Sequence, residues 1–205
     1  SDVIDNLIRK EDRKAADLTP EQRNILTTVF KSQVPKVEKA EFLVTFEALA
    51  ADAAPLVITQ NEYMRRMKDM AAMQPGMSFY GELPDSYNLI VNTEHTLIKE
   101  IRDDADKTIG DKVKPISTEI EKKNAEITTL RDSAKDGKMS EEDNGKVSEL
   151  EKEVSTLRDE ETKLISDYAA EQSKVKQLLD LALLGNGLLK GQDLSNFIKR
   201  SISML

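Results

Sequence analysis

The chain contains no cysteine and no tryptophan, and aromatic residues make up only 4% of its 205 residues. The absence of cysteine excludes disulfides, zinc-thiolate sites and thiol nucleophiles. With so few large aromatic side chains, the buried apolar material is expected in a few stretches rather than in one large globular core. One domain with an extended element is therefore the expected organisation.

Basic charge is also scarce, because 30 Lys and Arg stand against 38 Asp and Glu, a formal net charge of -8. A nucleic-acid partner requires a clustered basic face, so no nucleic-acid partner is expected. No apolar run approaches the roughly 20 residues of a membrane helix, and no signal-peptide pattern is present. We predict a cytoplasmic protein with no membrane partner, and the start at Ser1 indicates a piece of a longer chain.

Patterns for catalysis and metal binding are weak. The single histidine, His95, lies at an expected helix start without a second His or a Cys at ligand spacing, which indicates a structural role such as capping that helix. The eight glycines lie at turns and helix ends, so no phosphate-binding loop is predicted. We expect no catalytic residue, no metal and no cofactor in this chain, and an enzyme with a carboxylate-bound metal is the weakest alternative.

Hydrophobic spacing predicts an α+β fold with a small mixed sheet and packed helices. Residues 1–17 are expected to form a lead-in helix and a linker. Thr19 as N-cap and Pro20 at the first helical position predict a helix that ends before Pro35. Alternating or continuous apolar residues predict strands at 42–46, 55–59 and 87–92, and helices from about residue 61 to 73 and after Asn92.

A heptad pattern occupies residues 106–174. Its apolar positions are Ile116, Ile120, Ile127, Leu130, Ala134, Val147, Leu150, Val154, Leu157, Leu164 and Tyr168, with Lys123 and Glu161 as interruptions. The pattern predicts a long antiparallel coiled-coil hairpin that projects on the order of 45 Å. If this hairpin is self-contained, excision of Asp106–Lys174 should leave a folded dimer of similar thermal stability.

The last 31 residues are the most apolar part of the chain. One predicted helix carries leucine on nearly every side, "GNG" stops it, and a second helix follows. This is more apolar surface than a monomer buries, so we predict two C-terminal dimerisation helices. The expected interface residues are Leu178, Leu179, Ala182, Leu183, Leu194, Phe197, Ile198 and Ile202.

Methionine is concentrated in the helix predicted near residues 61–73. Helical geometry places Met64, Met67 and Met70 on one broad face, while Met73 falls on the polar side. This face is either ordinary core or a soft surface that adapts to many partners, a use to which flexible thioethers are suited. The candidate residues of such a surface are Tyr63, Met64, Met67, Met70 and Met73.

Three segments carry a family resemblance. "EYMRRMKDM" resembles the Met-x-x-x-Met-Lys helix in the C-terminal domain of heat-shock protein 90 chaperones, with Tyr63 where the first Met would be. "YNLIVNTEHTLIKEI" is similar to the family's strand followed by Asn-Pro-x-His, with Thr93 in place of Pro. "QLLDLALLGNGLLKGQDLSNFIKRSISML" resembles the family's two terminal helices. The motif residues matched in the middle segment are Asn92, His95, Leu97, Ile98 and Lys99.

The resemblance implies the C-terminal dimerisation domain of a bacterial member of the family, formed by residues 18–105 and 175–205. The hairpin, 106–174, is then an insertion for which bacterial members provide no counterpart. The full protein would be an ATP-dependent chaperone that assists protein folding, with ATP and Mg²⁺ bound in an N-terminal domain.

The resemblance also implies the partners of this chain. They are a second copy, in a homodimer, and unfolded or partly folded client proteins held at Tyr63 and the four methionines. No acidic tail follows Leu205, so no helical-repeat co-chaperones are expected. The alternative function is a coiled-coil adaptor or tethering protein with a Leu-rich dimer anchor.

Overall fold

The computed structural model describes residues 14–35, 40–60, 62–73, 84–133 and 139–203. The strands are β1 (Lys14–Ala15), β2 (Ala40–Ala48), β3 (Leu56–Gln60) and β4 (Asp85–Asn92). The helices are α1 (Pro20–Gln33), α2 (Glu62–Met73), α3 (Thr96–Ala105), α4 (Asp111–Asp132), α5 (Glu141–Ala170), α6 (Ser173–Gly185) and α7 (Gly191–Ser203). A π-helical turn, Asp106–Gly110, joins α3 to α4. Most of the expected lead-in helix lies outside the described residues.

The strands form a mixed sheet in the order β1-β2-β4-β3. β2 runs parallel to β4 from Ala40 to Glu47, and β3 runs antiparallel to β4 on its other side. β1 pairs only with Glu47 and Ala48, the last two residues of β2. The prediction of an α+β fold with a small mixed sheet is therefore confirmed.

Helix α1 begins and ends where its local signals predict. The Thr19 hydroxyl accepts a hydrogen bond from the Gln22 amide, and the Gln22 side chain accepts one from the Thr19 amide, each at 3.1 Å. This reciprocal pair satisfies two free amides at the helix start, and Pro20 fits the first turn because it has no amide to satisfy. The four residues of the inner face, Ile25, Leu26, Val29 and Phe30, are almost fully buried. Burial of each contributes about 1.5–3 kcal/mol.

The main core lies between one face of the sheet and the helices. Alternate residues of β2 and β4 point into it, and the rings of Phe42 and Tyr87 stack with centroids 5.4 Å apart. Two-residue periodicity explains this arrangement, because alternate side chains of a strand lie on one face.

The segment after β4 is held by Asn92, whose side chain is fully buried. Its Oδ1 accepts hydrogen bonds from the amides of Leu49 and Glu94 at 3.1 Å, and its Nδ2 donates to the Ala50 carbonyl at 2.9 Å. His95 then caps α3, since its Nδ1 accepts a hydrogen bond from the Leu97 amide at 3.1 Å. The structural role predicted for His95 is confirmed.

Helices α4 and α5 pack side by side in opposite directions. Ile120, Ile127, Val147 and Val154 form a small buried cluster between them, separate from the main core. The two heptad interruptions have partners across the pair: the Lys123 ammonium lies 2.6 Å from the Glu153 carboxylate, and Glu161 accepts a hydrogen bond from the Ser117 hydroxyl. The outer part of this helix pair is therefore held by its own contacts.

The inner ends of the same helices belong to the main core. The buried residues there are Ile109, Val113, Ile165, Tyr168 and Ala169. The Tyr168 hydroxyl donates to Asp104 at 2.5 Å, and the Gln22 side chain donates to Asp106 at 2.8 Å. The segment 106–174 thus contributes five buried side chains to the core instead of lying wholly outside it. Among the described helices, none combines the length and apolar character needed to cross a bilayer.

Candidate interaction surfaces

The two terminal helices are joined by a turn that requires glycine. Gly187 has φ of 66°, a left-handed conformation that costs a residue with a side chain about 1 kcal/mol or more. The Leu188 amide donates back to the Leu183 carbonyl at 2.9 Å, and the Gly187 amide donates to the Leu184 carbonyl at 3.0 Å. These bonds close the end of α6 and reverse the chain into α7.

The structure divides the eight expected interface residues into three groups. Leu179, Leu183 and Phe197 are buried in the core of the chain itself. Leu178, Ala182 and Leu194 are half-buried against that core, and Ile198 and Ile202 are exposed. The first group is therefore committed to the fold and is not part of a free surface.

Two exposed leucines of α6 are not among the expected interface residues. Leu181 and Leu184 are 50% and 41% exposed, comparable to Ile198 and Ile202 at 48% and 64%. The signal lay in the spacing, because Val175, Leu179 and Leu183 recur every fourth residue and define the buried face. The remaining leucines then had to lie on another side of the helix.

A buried ion pair connects the two helices. The Asp180 carboxylate is almost inaccessible and accepts a hydrogen bond from the guanidinium of Arg200, which is partly exposed. Gln177 donates to the Ser201 hydroxyl at 3.2 Å beside it. Burial raises the pKa of Asp180 above its ordinary value, and the cations Arg200 and Lys176 offset this only in part.

The methionine helix α2 contacts β4 through its inner side. The Lys68 ammonium lies 2.7 Å from the carboxylate of Asp85, at the start of β4, and Ala71 is buried. Met64 and Met67 are half-buried. Tyr63 and Met70, seven residues apart on the same face, are 69% and 49% exposed. The Met73 side chain lies outside the described residues.

The exposed and half-buried apolar side chains fall into two groups, one on the last two helices and one on α2. The terminal surface comprises Leu181, Leu184, Ile198 and Ile202, and the α2 surface comprises Tyr63 and Met70 with the edges of Met64 and Met67. Within the described part of the chain, no group of three or more His, Cys, Asp or Glu residues could hold a metal ion.

The chain is similar to three bacterial chaperones over its whole length. "Chaperone protein HtpG" of Bacteroides thetaiotaomicron is 47% identical over 208 residues, covering 100% of this chain and 30% of that protein. The proteins of the same name from Bacteroides fragilis and Porphyromonas gingivalis are each 44% identical, over 212 and 218 residues, with the same two coverages. No family model matches the chain, and no solved structure matches it significantly.

This chain thus spans 30% of the length of the curated relatives that it matches, and it corresponds to their C-terminal part. Because the similarity covers the whole chain, it includes residues 106–174, where α4 and α5 lie. The expectation that the helix pair has no counterpart in bacterial members was wrong.

Proposed function

Because the chain belongs to the HtpG family of chaperones, the bacterial form of heat-shock protein 90, we propose that it is the homodimerisation and client-contact part of an ATP-dependent chaperone. The full-length protein would assist protein folding in the cytoplasm, and a second copy and unfolded clients would be the partners of this part. One observation carries the proposal. Of the seven large apolar side chains that are exposed among the described residues, four lie on the last two helices.

The terminal surface has the properties of a two-fold interface. Ile198 and Ile202 are one helical turn apart on α7, and Leu181 and Leu184 are neighbours on α6. The half-buried Leu178, Ala182 and Leu194 would extend this surface. An isologous dimer brings such a surface against its own copy, and each side chain that becomes buried there contributes about 1.5–3 kcal/mol.

The dimer proposal is tested by the mass of the chain in solution. The variant Ile198→Asp with Ile202→Asp should be monomeric by light scattering at tens of micromolar, where the parent chain should be dimeric. Phe197→Asp is a poorer test, because Phe197 is buried in the core of its own chain. The matched control is Gln192→Asp, an exposed position in the first turn of the same helix, which should stay dimeric. A monomeric parent, or an unchanged mass in the double variant, would contradict the proposal.

Client contact is proposed for the α2 surface. Exposed Tyr63 and Met70 offer an apolar, adaptable contact, and thioethers adjust to differently shaped partners. In the full-length chaperone, Tyr63→Ser with Met70→Ser should reduce protection of an unfolding client from aggregation. Arg66→Ser, an exposed polar position of the same helix, is the control and should retain protection. Full protection by the double variant would place the client site elsewhere.

We also propose that α4 and α5, outward of Ser117 and Glu161, form an antiparallel coiled-coil arm that the dimerisation domain carries. The separate apolar cluster between the helices and the charge pairs across them support this assignment. The inner ends of both helices are assigned to the domain itself, because they fill its core.

Nucleotide chemistry is assigned to another part of the full-length protein. The resemblance places ATP and Mg²⁺ in an N-terminal domain, which lies outside the residues of this chain. Titration of the purified chain with ATP and Mg²⁺ in a calorimeter should show no saturable heat. Saturable binding would contradict this assignment without affecting the dimer proposal.

A further inference from the structure

Among the residues that the structure describes, the outer edge of β2 is paired only at its C-terminal end. On its inner side β2 pairs with β4 through eight residues, Ala40 to Glu47. On its outer side β1 pairs with Glu47 and Ala48 alone. Within the described chain, no strand faces Ala40–Phe46 on that side. An unpaired strand edge presents hydrogen-bonding groups that another extended chain can satisfy.

The hydrogen bonds around the strand ends show which backbone groups point outward. The Glu47 carbonyl accepts a hydrogen bond from the Thr93 amide at 3.0 Å, so the backbone of Glu47 is directed toward β4. In a parallel pair, alternate residues share that direction and the residues between them point the other way. The amides and carbonyls of Ala40, Phe42 and Val44 are therefore directed to the open edge. The side chains of Phe42 and Val44 pack against the core.

The other face of β2 carries an exposed apolar side chain. Leu43 is 60% exposed, although Ile90, on the same face of the sheet and in the neighbouring strand, is buried. This face is thus covered over β4 and open over β2. Glu41, two residues before Leu43, is exposed on the same face and has no ion pair among the described residues.

We propose that the open edge of β2 binds an extended segment of an unfolded polypeptide as an added strand. The inference rests on the proposed client role and specifies its substrate class. Only an extended backbone satisfies outward groups at every second residue. Leu43 would contact an apolar side chain of that segment, and Glu41 favours a basic one beside it. α2 contacts β4, and its exposed Tyr63 and Met70 would form a second contact for the same client.

The test uses a labelled seven-residue peptide of alternating Val and Thr with one central Lys, and measures its binding to this chain by fluorescence anisotropy. Two further versions carry N-methyl groups, one on the odd and one on the even backbone amides. One version should bind about tenfold more weakly or worse, because it loses the strand hydrogen bonds, and the other should bind nearly as the parent peptide. Amide exchange at Phe42 and Val44 should slow when the peptide binds.

A variant of the chain provides a second test of the strand proposal. Leu43→Asp should weaken peptide binding, whereas Gln192→Asp, an exposed position outside both proposed surfaces, should leave it unchanged. Equal loss from both methylation patterns, no binding of the parent peptide, or amides of Phe42 and Val44 that are already protected without peptide would each overturn the strand proposal. If Tyr63→Ser with Met70→Ser reduces client protection in that case, the proposed α2 client surface stands and only the added strand is excluded.

Discussion

The carboxylate of Asp180 accepts a hydrogen bond from the guanidinium of Arg200 across the turn that joins the last two helices. The two partners are unequal, because Asp180 is buried and Arg200 is partly exposed. Removal of one partner should therefore have a different effect from removal of the other.

Arg200→Ala should destabilise the chain by about 3 kcal/mol at pH 7, because it leaves a buried carboxylate without its main cation. Asp180→Ala should destabilise it by about 1–2 kcal/mol, because the Arg200 side chain can turn toward water. Urea denaturation of both variants and the parent measures the difference. Equal losses of unfolding free energy in the two variants would contradict this expectation, which rests on the deeper burial of Asp180.

The Arg200→Ala effect should also depend on pH. A raised pKa means that the folded chain holds a proton on Asp180 more tightly than the unfolded chain does, so stability from this group is gained as pH falls and lost as pH rises through the folded pKa. Without Arg200 this pKa rises further. The deficit of Arg200→Ala should then shrink as the pH falls from 7, and a deficit that grows would contradict this sign.

Shortening of the arm should be tolerated where its base is kept. Replacement of residues 119–159 by a four-residue Gly-Ser link retains Ser117, Glu161 and the buried residues of the core, and the ends to be joined lie about 8–10 Å apart. This variant should stay folded and dimeric. Excision of the whole segment Asp106–Lys174 should unfold the chain, because it removes five core side chains. Circular dichroism melting and light scattering distinguish the two outcomes, and an unfolded short-arm variant would show that the outer helices support the domain.

Removal of the Asn92 side chain should lower the stability of the chain more than removal of an ordinary polar side chain does. Asn92→Ala leaves the Leu49 amide and the Ala50 carbonyl without their partner, a loss of about 2–3 kcal/mol of unfolding free energy. Asn88→Ala is the matched control, since Asn88 lies in the same strand with no side-chain hydrogen bond among the described residues. Its stability should change by less than about 1 kcal/mol.

The Ser117–Glu161 contact is not expected to stabilise the helix pair more than apolar side chains would in the same place. Ser117→Ala alone leaves a buried carboxylate without its partner and should destabilise the helix pair by about 2 kcal/mol. Ser117→Ala with Glu161→Leu removes both polar groups and should be neutral or stabilising. Amide exchange at Ile120 and Val154 reports on the helix pair itself. A double variant less protected than the single one would contradict this expectation.

Local signals predicted the parts of the fold that depend on neighbours in sequence. Thr19 and Pro20 placed the start of α1, and His95 was correctly expected to cap α3, because a cap involves only three or four consecutive residues. Strand alternation at Phe42 and Val44 placed β2 for the same reason.

Features that depend on how distant parts of the chain pack together could not be predicted from the sequence. Leucine occupies nearly every side of α6, so periodicity could not separate half-buried Leu178 from exposed Leu181. Glu161 interrupts the heptad in the sequence, yet it is buried with a hydrogen-bond partner on the other helix. The parallel pairing of β2 with β4, which leaves one strand edge open, joins residues more than forty positions apart.

Helix α5 continues without a break through its 30 residues, from the outer end of the helix pair into the core, and only two residues separate it from α6. The portion outward of Glu161 is about 30 Å long at 1.5 Å per residue. A tilt of about 10° at the base would displace the tip by about 5 Å. The arm is thus a mechanical lever whose short end packs on α1 and leads within two residues into α6. A force applied at the tip would reach α1 and the start of α6 as torque.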